Sequence, residues 1–212
     1  MISRLAEFVA RKLQHDGIIE MDDKEIYAYA FFMIFSYAFF LLLSIFMGVV
    51  LKIFFESILF FIVLCTVRGF AGGIHAKSEK MCTFLTIATI IISEVLIKIL
   101  TIYDAVAIAV AVMALSTICI FIFSPLVNKQ KNFNYREKIA LKKKVIFFAL
   151  LAIFLAILSF VLDKHSFGFS VAVGVTMSSF LLVLGKIEQV SRKMYTSNNK
   201  AISYDHCLTK EK

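Results

Sequence analysis

Proline occurs once in the 212 residues, at Pro125, so almost nothing interrupts the long apolar runs that make up most of the chain. Charge is scarce within the same runs. Sixty percent of the residues are hydrophobic, and apolar stretches of about twenty residues exceed what a small water-soluble core can bury. The chain therefore reads as an all-α integral membrane protein, with its 23 phenylalanines used for lipid contact and helix packing. The first 25 residues lack a short apolar core ahead of a small-residue cleavage site, so no cleavable signal is expected. Cysteine and histidine are sparse as well. Cys65, Cys82, Cys119 and Cys207 are spaced neither as a disulfide framework nor as a C-x-x-C metal site, and the four histidines are scattered, so no metal centre or cofactor is expected. H-E-x-x-H and G-x-S-x-G are both absent, which argues against zinc and serine hydrolases. No nucleic-acid-binding module is visible, and membrane topology is enough to explain the net charge of +8.

Six spans are predicted, at residues 27–51, 53–67, 82–100, 105–127, 145–162 and 167–185. They form a single membrane domain over 1–212: a cytosolic amphipathic arm at 1–26, a six-span bundle at 27–185 and a polar cytosolic tail at 186–212. The second span is short of the roughly twenty residues a crossing needs, so it is expected to continue through Gly69 and carry Arg68 with it. In the arm, Ile2, Leu5, Phe8, Val9 and Leu13 recur at helical spacing, with Arg4, Glu7, Arg11 and Lys12 mainly elsewhere on the wheel. Such a helix either lies on the membrane surface or packs on the bundle from the cytosol. The tail is rich in Lys, Ser and Asn and is predicted to become disordered toward Lys212.

Lysine and arginine alternate between the two sides. They crowd the arm, the connection after the second span (Arg68, Lys77, Lys80), the connection after the fourth (Lys129 to Lys144) and the tail. The other three connections hold little beyond Lys52, Asp104, Asp163 and Lys164. That bias places both termini and the connection after the second span in the cytoplasm, with the protein multi-pass in a cell membrane.

That second connection carries the chemistry. Arg68-Gly69-Phe70-Ala71-Gly72-Gly73-Ile74-His75-Ala76 is followed, seven residues after the histidine, by Cys82. A thiol and an imidazole that can meet form a nucleophile and its base. On one straight helix, seven residues would part them by about 10.5 Å, far beyond proton-transfer reach. The segment must therefore bend if they are partners. Gly72 and Gly73 permit a turn, and the polar stretch 77–80 suits an irregular or re-entrant loop between the second and third spans. If Cys82 lies in the first turn of the third span's helix, the helix dipole favours its thiolate. Ser78 is a candidate cap for that helix.

These residues resemble the AgrB-type accessory gene regulator family, membrane cysteine endopeptidases that process the precursor of a cyclic quorum-sensing peptide. The resemblance is carried by Arg68, by Ala71-Gly72-Gly73-x-His75-Ala76 and by Cys82, and it is supported by length, six spans and a basic loop before the fifth. It implies a catalytic nucleophile at Cys82 and a general base at His75, with Arg68 and Gly73 at functionally important positions. It also implies cleavage through an acyl-enzyme thioester and closure of a thiolactone or lactone ring. The expected partners are the lipid bilayer, a membrane-associated propeptide and a second copy of the chain in a homodimer. In such a family Lys142, Lys143 and Lys144 are expected to receive the propeptide's acidic C-terminal region.

Several assignments stay open. A third group orienting the imidazole could be Glu79 or Glu94, although Glu94 with Lys98 one turn on reads more simply as intrahelical neutralisation. Arg68 either snorkels to the phosphate surface or grips substrate. Cys65 and Cys119 read as small buried hydrophobes, and Phe31, Phe35, Phe39 and Phe46 as a packing stripe. His15, His165 and His206 lie in polar segments without a partner thiol or carboxylate cluster and read as solvated surface histidines. The alternative function is a small transporter or exporter without protease activity, for which six spans and an intramembrane Glu94 are reasonable ingredients.

Overall fold

The computed structural model describes residues 2–20, 23–71, 79–124 and 135–208. Among these the chain forms seven helices and no strand: α1 (Ile2–His15), α2 (Lys24–Leu51), α3 (Phe54–Ala71), α4 (Glu79–Tyr103), α5 (Val106–Phe123), α6 (Tyr135–Val161) and α7 (His165–Leu208). Helices suit these sequences because a backbone surrounded by lipid must satisfy its own hydrogen bonds. Five stretches are long and apolar enough to cross a bilayer: Lys24–Leu51, Thr83–Tyr103, Val106–Phe123, Ile139–Val161 and His165–Ser191. The protein is accordingly an all-α membrane protein, and its surface carries large apolar side chains such as Phe46, Phe55 and Phe154. The apolar run that holds Arg68 continues through Gly69 to Ala71, as its shortness requires.

Three helix pairs are joined at one end of the bundle by tight turns of a single design. Lys52, Asp104 and Asp163 all adopt positive φ. The residue after each donates its N–H back five residues: Ile53 to Gly48 O at 2.8 Å, Ala105 to Leu100 O at 3.3 Å, and Lys164 to Ser159 O at 2.9 Å. This is the left-handed helix stop that closes off the last carbonyls, and aspartate tolerates it better than most side chains. Successive helices therefore reverse direction there, and the motif lies at the opposite end.

α7 is the central helix and packs against α3, α4, α5 and α6. Two-thirds of its apolar stretch (67%) is buried, against 11% for α2, which sits at the edge on α3 and α4. Two apolar clusters share α3 and α7. One includes Val63, Val67, Met113, Ile120, Ala152, Phe169 and Val175, and the other Phe40, Phe60, Leu64, Ile90, Ile97 and Leu181. Close backbone approach depends on glycine at two places. A Cβ on Gly48 would meet Ser57 Cβ at 2.7 Å, and one on Gly174 would meet Val63 Cγ1 at 2.9 Å.

α7 continues as helix past the last span to Leu208, and the end of the tail, where disorder is expected, lies outside the described residues. The basic stretch expected as a loop up to Lys144 is helical from Tyr135 onward. Lys, Arg, Glu and Gln are good helix formers, and a helix nucleated by buried turns propagates into such residues. α1 packs on α2, as one of its two readings has it, and buries Ala6 and Ala10, while Leu5 and Phe8 stay exposed.

Candidate functional site

The motif spans the end of α3 and the start of α4. Arg68 is in the last turn of α3, Glu79 is the first residue of α4, and Cys82 is the fourth, within its first turn. Gly72, Gly73, His75, Ser78 and the expected irregular loop lie outside the described residues, as do the side chains of Glu79 and Cys82.

Across the gap, Arg68 Nη1 donates to Thr86 Oγ1 at 3.4 Å. On a straight helix the 18 residues between them would cover about 27 Å. The chain has therefore doubled back, and the C-terminal end of α3 stands beside the N-terminal turns of α4. Thr86 follows Cys82 by four residues, so the two share one face of α4. Residues 72–78, outside the described residues, thus connect two helix ends that stand side by side. Thr86 was not singled out from the sequence, although its spacing from Cys82 was the available signal.

α6 brings its basic turns to the same place. Lys144 Nζ lies 5.9 Å from the centre of the Phe70 ring, and Phe70 stacks on Phe148 at 5.0 Å with 4° between ring planes. A cation over an aromatic face is held electrostatically, and here the ring belongs to the motif itself. Lys142 and Lys143 are exposed beside it. Arg68 and Lys144 thus make the end of α3 a cationic corner.

Glu94 is not in that corner. It lies twelve residues beyond Cys82, about 18 Å along α4. It does not neutralise Lys98 as its spacing suggested. Fully buried, it accepts hydrogen bonds from Ser44 Oγ of α2 at 2.7 Å and from Ser57 Oγ of α3. Ser44 Oγ also lies 3.3 Å from Ser57 O. A buried carboxyl is tolerated where hydrogen bonds compensate it, and two hydroxyls from neighbouring helices do so here. His165 differs from the solvated surface histidine expected, since it is only partly exposed and has two aspartates beside it. Its Nδ1 is 2.6 Å from Asp104 Oδ1 and its Nε2 is 3.8 Å from Asp163 Oδ1, at the end of the bundle away from the motif. Cys65 and Cys119 are half-buried. Among the described residues, no three His, Cys, Asp or Glu side chains gather as a metal site.

The chain matches known proteins along nearly all of its length. The chain is 24% identical over 204 residues to Putative AgrB-like protein 2 of Clostridium perfringens (strain 13 / Type A), covering 93% of this chain and 94% of the relative. Identity and coverage are the same for Putative AgrB-like protein of Clostridium perfringens (strain SM101 / Type A). No solved structure matches the chain. The family model for Accessory gene regulator B matches residues 4–182, nearly the whole helical bundle, and the protein belongs to that family.

Proposed function

We propose that this protein is a membrane-embedded cysteine endopeptidase that cleaves an autoinducer propeptide and supports cyclisation of the retained part. Membership of the accessory gene regulator B family supports a role in peptide processing. The observation that carries the finer reading is the Arg68–Thr86 hydrogen bond, because it sets the two halves of the motif side by side. In this reading α3 counts as a sixth span, both termini and the motif face the cytoplasm of a bacterial cell, and the protein acts as a homodimer.

His75 takes the proton of the Cys82 thiol, and the thiolate attacks the scissile carbonyl. The tetrahedral intermediate collapses, the C–N bond breaks, and the imidazolium returns its proton to the departing amine. The C-terminal fragment leaves, and the retained peptide stays on Cys82 as a thioester. A thiol or hydroxyl within that peptide then attacks the thioester, losing its proton to His75, and displaces the Cys82 thiolate as the ring closes. Exchange of one thioester for another is nearly balanced, so the site must keep water from the acyl group. A site against the bilayer meets that demand. Gly72 and Gly73 give the loop its turn, Glu79 orients the imidazole, and Arg68 contacts substrate. Lys142, Lys143 and Lys144 attract the propeptide's acidic end through long-range charge. No cofactor takes part.

The test is co-expression with a precursor encoded beside this chain. Cys82→Ala, Cys82→Ser and His75→Ala should each leave the protein in the membrane and abolish release of the C-terminal fragment. Cleavage by the purified variants would end this reading. The transporter alternative separates in the same experiment, since export without cleavage should survive loss of the Cys82 thiol.

A further inference from the structure

An arginine at a helix end near a membrane surface ordinarily extends its long stem toward the lipid phosphates. Arg68 does not; its half-buried guanidinium turns inward to the buried hydroxyl of Thr86. Among the described residues no carboxylate pairs with it. A hydroxyl acceptor fixes a guanidinium without cancelling its charge, which an aspartate at the same place would do. Guanidinium carries five N–H donors, and this contact occupies one.

We propose that Thr86 is a positioning residue: it holds the Arg68 guanidinium on the face of α4 that carries Cys82, where the free donors and the uncancelled charge draw an anionic oxygen of the bound peptide to the nucleophile. The inference rests on Cys82 being the nucleophile, and it adds the reason Arg68 stays at that site. Without Thr86 the arginine regains its rotamer freedom, together with the lipid phosphates as alternative partners.

Charge-selective labelling of the full-length protein in lipid nanodiscs reads this directly. The Cys82 thiolate attacks the sulfenyl sulfur of a methanethiosulfonate, a mixed disulfide forms and sulfinate leaves. The rate with the anionic sulfonatoethyl reagent is divided by the rate with the cationic trimethylammonioethyl reagent, scored on the Cys82 peptide by mass spectrometry. Thr86→Val should lower this ratio by about threefold or more, the Coulomb effect of one charge at contact range in a water-like medium. Arg68→Gln should lower it equally, and the two changes together should do no more than either alone. Thr86→Ser should keep the wild-type ratio, and Thr86→Ala replaces the valine variant if that one does not fold. Nearby lysines add to every ratio but not to the difference between valine and serine. A wild-type ratio in Thr86→Val, or in Arg68→Gln, overturns the proposal. A charge preference without release of any precursor fragment would retain the positioning and remove the peptidase, and cleavage without charge preference would do the reverse.

Discussion

Ser44 on α2 donates to Glu94 on α4 at 2.7 Å, and because Ser57 on α3 donates to the other carboxyl oxygen, a single acid ties three helices together. Interhelical hydrogen bonds in membrane bundles contribute on average about 0.6 kcal/mol and up to about 1.7 kcal/mol. Ser44→Ala and Ser57→Ala should each lower thermal stability in detergent by that order. The double variant should be worse than either, since it leaves the carboxyl without donors. Adding Glu94→Leu to the double variant should recover much of the loss, because a fully apolar cluster no longer strands a polar group. Melting curves of the four proteins decide this. Precursor cleavage should persist in Glu94→Leu, and its loss in a folded protein would return Glu94 to the catalytic site.

Gly48 and Gly69 make a contrasting pair. A Cβ at Gly48 runs into Ser57, whereas at Gly69 it meets nothing within 4 Å. Gly48→Val should cost about 1–3 kcal/mol by forcing α2 away from α3. Gly69→Ala should stabilise by about 0.5–1 kcal/mol through helix propensity alone. Equal melting temperatures for the two variants would contradict the close approach.

The Phe70–Phe148 stack predicts that Phe148→Ala is felt more than Lys144→Ala. The ring pair contributes about 0.5–1.5 kcal/mol beyond its packing area, and an exposed cation–π contact about 0.5–1 kcal/mol. Thermal denaturation in detergent orders the two. A larger effect from the lysine would mean that the corner is held by charge and not by stacking.

At the far end, Asp104→Asn should lower stability by no more than about 1 kcal/mol, because the carboxylate facing His165 is largely exposed. Asp163→Asn, with its oxygen at 3.8 Å, should have less effect still. An effect of several kcal/mol from either would show that the turn, and not the ion pair, depends on the side chain.

Much of this architecture could be read from apolar run lengths. The extension of α3 past Arg68 is expected from the shortness of its apolar run, and the position of Cys82 in a first helical turn follows from where the next apolar run begins. Pairings made across the chain could not be read in that way. Local spacing points Glu94 to Lys98, but its partners are 50 and 37 residues away, and the aspartate facing His165 is 61 residues away. Helical periodicity reports neighbours one turn apart and carries no information about which helix lies alongside. The helix past the last span could not be read from polarity either, because Lys, Arg, Glu and Gln extend a helix whose first turns are already buried.

The three left-handed stops group the bundle into helical hairpins, α2 with α3, α4 with α5, and α6 with α7. On the proposed topology each hairpin enters the bilayer and returns to the side it came from. Insertion then has to carry across only a tip of a few residues, whose polar cargo amounts to Lys52, Asp104, Asp163 and Lys164. Every bulky, highly charged connection remains where it was synthesised, so the free-energy barrier to inserting each pair is set by a handful of polar groups.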